Sequence, residues 1–106
     1  MRMLMRVSIP VEAGNAAAKA GTLGTVVEKI LTDLKPEAAY FFADDDGQRA
    51  GSIVFDMKDT SEIPALAEPW FHAFKAKVSF RPVMSPADLG KAGPAIGKAA
   101  SEFGKA

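Results

Sequence analysis

A chain of 106 residues, 48% hydrophobic and 25% charged, fits one globular domain whose single core needs no cross-link. Thirteen Lys and Arg balance thirteen Asp and Glu, so neither net charge nor a basic run points to nucleic acid or an anionic membrane as partner. With no cysteine and one histidine, the chain has no disulfide and cannot build a conventional structural zinc site.

The first segment, Met3 to Ile9, alternates: Met3, Met5, Val7 and Ile9 fall on one side, Leu4, Arg6 and Ser8 on the other. This is the period of a strand, and Pro10 ends it. Arg6 also interrupts an apolar run too short for a secretory signal core. No stretch reaches the roughly 20 apolar residues of a membrane span, so the expectation is a soluble, cytoplasmic protein. From Ala13 to Leu34, the positions of Leu23, Val27, Ile30, Leu31 and Leu34 predict one helix with a single apolar face, weakened in its first half by Gly21 and Gly24. Ala38 to Ala43 and Arg49 to Met57 are rich in aromatic and β-branched residues. "DDDGQ" between them supplies the Asp-Gly chemistry of a hairpin turn.

"DTSEIPALAEPWFHAFKAK" starts with the cap-type residues Asp59, Thr60 and Ser61 and carries Pro64 in its first helical turn. The stripe Ile63, Leu66, Ala67, Trp70 and Phe74 keeps helical spacing across Pro69, which predicts a kinked helix in preference to a terminated one. "VSFRPVM" alternates again, and Pro82 assigns that strand to an edge or ends it there. The tail, residues 86–106, is a helical appendage with a marginal helix near Ile96, Ala99, Ala100 and Phe103, weakened by its glycines.

The order βαββαβ is the ferredoxin-like α+β pattern, a four-stranded antiparallel sheet with helices on one face; residues 1–106 form one domain of this kind. The segments "EPWFHAF" and "FRPVM" resemble a group of small proteins in the dimeric α+β barrel superfamily, in which an aromatic helix runs into a strand ending "PVM". That resemblance covers most of Met3 to Met84. It implies a homodimer whose two sheets meet face to face, in some members around a ligand cavity. Some members are cofactor-independent monooxygenases and others degrade haem with an asparagine, a tryptophan and a histidine. Here the sole asparagine is Asn15, outside the first strand, and Trp70 and His72 are separated by one residue, which argues against haem; no cofactor and no metal are expected.

If Met3, Met5, Val7, Ile53, Phe55, Val78 and Phe80 face the helices, the opposite sheet face carries Leu4, Arg6, Ser8, Ser52, Val54, Asp56, Ser79, Arg81 and Val83. It is joined by either Phe41 or the Tyr40 and Phe42 pair. Such a mixture is too apolar for a solvated face and too polar for a core, as suits a dimer interface enclosing a small polar cavity. Arg6, Tyr40 and Arg81 are the candidate ligand-binding residues, for a small anionic or aromatic molecule, since paired guanidinium groups can clamp a carboxylate by forked hydrogen bonds. An Arg6, Asp56 and Arg81 salt-bridge cluster across the dimer interface is the favoured structural alternative.

His72 and Tyr40 are the candidates for acid-base work in a cofactor-free enzyme, a monooxygenase or isomerase. A purely structural or interaction protein is the third reading. His72 lies about 180° from the helix stripe and is expected exposed, without a recognised carboxylate partner, whereas Trp70 belongs to the core. "DDDG" lacks the ligand spacing of a calcium loop. "AGTLGT" and "GKAGPAIGKA" fit neither the phosphate-loop nor the dinucleotide pattern, and there is no nucleophile elbow.

Overall fold

The computed structural model describes residues 1–105. Its elements run β1 (Arg2–Ile9), α1 (Val11–Lys19), α2 (Leu23–Leu34), β2 (Ala38–Ala43), β3 (Arg49–Asp56), a 3₁₀ turn (Thr60–Glu62), α3 (Ile63–Phe74), β4 (Lys77–Pro82), α4 (Pro86–Lys91) and α5 (Gly93–Phe103). The strands form one antiparallel sheet in the order β2-β3-β1-β4, so the fold is α+β and ferredoxin-like. Residue 106, the last of the expected appendage, lies outside the described residues.

Alternation in β1 decides which face is core. Met3, Met5, Val7 and Ile9 are all buried and meet Ile53 and Phe55 of β3 and Trp70 and Phe74 of α3. Full burial of an apolar side chain of this size contributes about 1.5–3 kcal/mol, so these residues dominate the energetics of the domain. Trp70 and Phe74 lie with ring centroids 6.0 Å apart, and Phe55 meets Phe80 edge-on at 6.4 Å. Val78 and Phe80 pack against this core only partly buried.

The single helix expected from Ala13 to Leu34 is two helices. Gly21 takes φ 75°, and its N–H donates to Ala18 O while that of Thr22 donates to Ala17 O at 2.9 Å. These two bonds satisfy the last carbonyls of α1 in a left-handed glycine cap, after which α2 starts at Leu23. The hairpin forms where expected. Gly47 takes φ 74° and donates to Asp44 O, a type I turn closed by a left-handed glycine.

α3 runs unbroken from Ile63 to Phe74 with Pro69 inside it. Asp59 caps the preceding 3₁₀ turn, accepting from Ser61 N while Glu62 accepts from Asp59 N. β4 is an edge strand ending at Pro82, so the missing proline N–H interrupts no ladder.

The tail forms two helices. Ser85 and Asp88 cap α4 reciprocally, and α5 is exposed along its whole length, with Ile96 at 56% and Phe103 at 83%. The molecule measures 59 × 30 × 21 Å with a radius of gyration of 17.8 Å. A compact chain of this length would have about 13 Å; α5 projects as an arm and packs mainly on α4.

Candidate functional site

Strand register determines what the outer sheet face presents. Tyr40, Ser52, Arg6 and Ser79 form one cross-strand row, with Ala38, Val54, Leu4 and Arg81 on one side of it and Phe42, Ala50, Ser8 and Lys77 on the other. Tyr40 and Phe42 therefore belong to this face, and Phe41 points to the helices. Phe41 lies over Gly51: a β-carbon there would stand 3.0 Å from its ring. Arg6 and Arg81 occupy adjacent rows and line one shallow cavity of about 270 Å³ with Lys77, Ser79, Asp44 and Gln48. The Arg6 guanidinium carbon stands 5.4 Å from the centre of the Phe42 ring, a cation–π contact on an exposed surface. Tyr40 is 69% exposed at the end of its row.

Asp44 and Asp46 both line this cavity, and Asp44 is already engaged. Asp44 Oδ1 accepts from the backbone N–H groups of Gln48 and Asp46, and Oδ2 accepts from Ser8 Oγ at 2.7 Å. The Gln48 N–H first, and then the Ser8 hydroxyl, hold the Asp44 carboxyl below the usual carboxylate range. Ser8 Oγ also lies 2.9 Å from Gln48 Oε1. A hydroxyl has a single proton, so this contact is satisfied when the Gln48 amide is turned to donate its N–H. Among the described residues, Arg6, Lys77 and Arg81 have no acidic partner within 4.0 Å.

The Arg6, Asp56 and Arg81 cluster does not form within the chain. Asp56 stands opposite Arg2, four residues along β1 from Arg6, and its Oδ1 accepts from the N-terminal ammonium at 2.8 Å. That hydrogen bond and its charge hold the Asp56 carboxyl below the usual range. Arg2 instead pairs Glu37 at 2.9 Å and approaches Asp88 of α4 at 3.8 Å.

His72 is 82% exposed on α3, and its Nε2 lies 3.2 Å from Glu68 Oε2. That carboxylate, one helical turn earlier, is the partner that sequence reading missed; the i to i+4 spacing was the signal for it. His72 belongs to the helical layer and Tyr40 to the opposite sheet face, so the two proton-handling candidates share no cavity. Among the described residues there is no metal-ligating cluster, and no helix is long and apolar enough to cross a membrane.

On the helix side of the sheet, α2 packs its apolar stripe against the core only partly buried, and none of its residues is fully buried. A cleft of about 760 Å³ opens between it and the sheet, with Val7, Ile9, Leu23, Val27, Leu31 and Phe41 in its walls. Trp70 contributes to the same lining. Its indole Nε1 is buried with no acceptor, the only such side-chain atom among the described residues. Arg49 lies at this cleft too; it stands opposite Ile9 on the helix side of the sheet. Sequence periodicity identified the apolar stripe of α2 but not the gap beneath it.

No family model matches the chain, and no curated protein matches it. Among solved structures it is similar to a formyltetrahydrofolate deformylase from Pseudomonas putida KT2440, at 17% identity and a TM-score of 0.49. The match covers 78% of this chain and 29% of that one.

Proposed function

We propose that the chain acts as a homodimer whose two sheets face each other as a dimeric α+β barrel, and that Arg6, Tyr40 and Arg81 bind a small anionic or aromatic molecule there. The observation that carries this reading is the outer sheet face itself: three cations with no acidic partner within 4.0 Å among the described residues, beside exposed Tyr40 and Phe42. An anion recognised by forked hydrogen bonds from two arginines would neutralise that charge, and covering by a second copy would remove the aromatic surface from water.

Size supports a role for the arm. Four strands about 4.8 Å apart and eight residues at about 3.4 Å each give a face of roughly 19 by 27 Å. Its projected area, about 500 Å², is less than the roughly 800 Å² per partner of a standard interface. The apolar stripe Ile96, Ala99, Ala100 and Phe103 of α5 would supply the remainder by reaching across to the second copy.

Native mass spectrometry of the freshly purified protein tests both halves. A dimer carrying a defined extra mass, lost in the Arg6→Ala, Arg81→Ala double variant, is the expected result. A dimer that never retains or takes up an anion leaves only the interface, and a monomer at micromolar concentration would refute the barrel.

A further inference from the structure

We infer that the cleft between α2 and the sheet is a second ligand site, on the face of the sheet opposite Arg6 and Arg81, and that it takes a small carboxylate with an apolar body. Three observations converge. The walls are aliphatic and aromatic, and at about 760 Å³ the cleft falls in the range of ordinary small-molecule pockets, roughly 300–1,000 Å³. Arg49 stands at it with no acidic partner within 4.0 Å among the described residues.

The arginine is also positioned. It lies against Gly14 of α1, where a β-carbon would come within 2.6 Å of Arg49 Nη1 and 3.2 Å of its Cδ. The missing side chain at Gly14 leaves room for the guanidinium itself against α1, at the border of the cleft that Arg49 lines. An apolar chain between Leu23, Val27, Leu31 and Phe41, with its carboxylate on Arg49, satisfies both the walls and the charge. Glu28 lines the cleft as well, on the exposed side of α2; a cationic head would go there instead, which makes the sign of the head group the deciding variable.

Trp70, the sole tryptophan, reports occupancy by its fluorescence. The experiment titrates the full chain with decanoate, decanol and decyltrimethylammonium, each below its micellar range. Decanoate is expected to bind about tenfold more tightly than decanol, as one charge-assisted contact allows. In Arg49→Gln the two should become equal within about twofold. Thr32→Phe, at an exposed position of the cleft wall, is expected to abolish binding of both by filling the space.

Arg6→Ala with Arg81→Ala should leave decanoate binding unchanged, so this site and the outer face fail separately. Absence of saturable decanoate binding, or tighter binding of the ammonium compound, overturns the assignment. So does decanoate binding that emerges only in Ile96→Asp, Phe103→Asp, because the arm of a second copy would then be the natural occupant.

Discussion

Replacing Trp70 by Phe separates two opposed energies at the centre of the core. Trp70 is 0% exposed, and its Nε1 has no acceptor. Phenylalanine lacks three of the indole's ring atoms, two of them carbon, and at about 0.8 kcal/mol per carbon group plus a residual cavity the loss comes to roughly 2 kcal/mol. The same change deletes a buried donor whose lost hydration costs about 1–3 kcal/mol. The net change is therefore expected within about 1 kcal/mol of zero. Trp70→Ala removes the whole side chain and should cost about 3–5 kcal/mol. Urea unfolding followed by far-ultraviolet circular dichroism measures both, since neither variant retains the fluorophore. A loss above about 3 kcal/mol in Trp70→Phe, with the denaturant slope unchanged, would mean that the indole N–H is hydrogen-bonded in solution and that the unsatisfied donor is wrong.

Lys75 ends α3 in the left-handed region at φ 52°, where a β-carbon is disfavoured. Lys75→Gly is thus expected to raise stability by about 0.5–1 kcal/mol and the melting temperature by a few degrees, and an unchanged or lower melting temperature would contradict it. At Gly51, strand propensity favours alanine by about 0.5–1 kcal/mol. The added carbon would nonetheless stand 3.0 Å from the Phe41 ring and 3.3 Å from Val7 Cγ2; overpacking should win, with a net loss of about 1 kcal/mol, and a more stable Gly51→Ala would show that Phe41 moves aside freely.

Asp44, with its carboxyl held low in the folded chain, stabilises the hairpin above the ordinary aspartate range and loses that contribution as pH falls through its lowered folded value. In a carboxyl-carbon NMR titration Ser8→Ala should move the Asp44 midpoint upward; an unmoved midpoint would eliminate the hydroxyl as a cause.

Much of this fold was legible because its strands alternate cleanly. The period in β1 assigned Met3, Met5, Val7 and Ile9 to one face, and the Asp-Gly turn located the hairpin; together they led to the ferredoxin-like order. The stripe through Ile63, Trp70 and Phe74 likewise separated buried Trp70 from exposed His72. The break between α1 and α2 was missed because "KAGT" was read as weakness inside a helix. Lys19 followed by Gly21 is a stop signal, and the apolar stripe itself begins only at Leu23.

The candidate site was less legible, since it depends on register. Strand adjacency alone suggested that Asp56 could join Arg6 and Arg81. Pairing Arg2 with Asp56 moves that carboxylate four residues down β1 and leaves Arg6 beside Ser52 and Ser79. A shift in register alters every cross-strand neighbour while leaving the alternation in each strand intact.

By itself, then, the sequence determined the strands and their order, the buried faces of β1, β3 and β4 and the turn chemistry, because these are set by interactions within a few residues. The tertiary structure alone decided which charges meet, how far α2 stands from the sheet and that α5 projects from the body. Each of those depends on the relative placement of segments distant along the chain, which local periodicity does not encode.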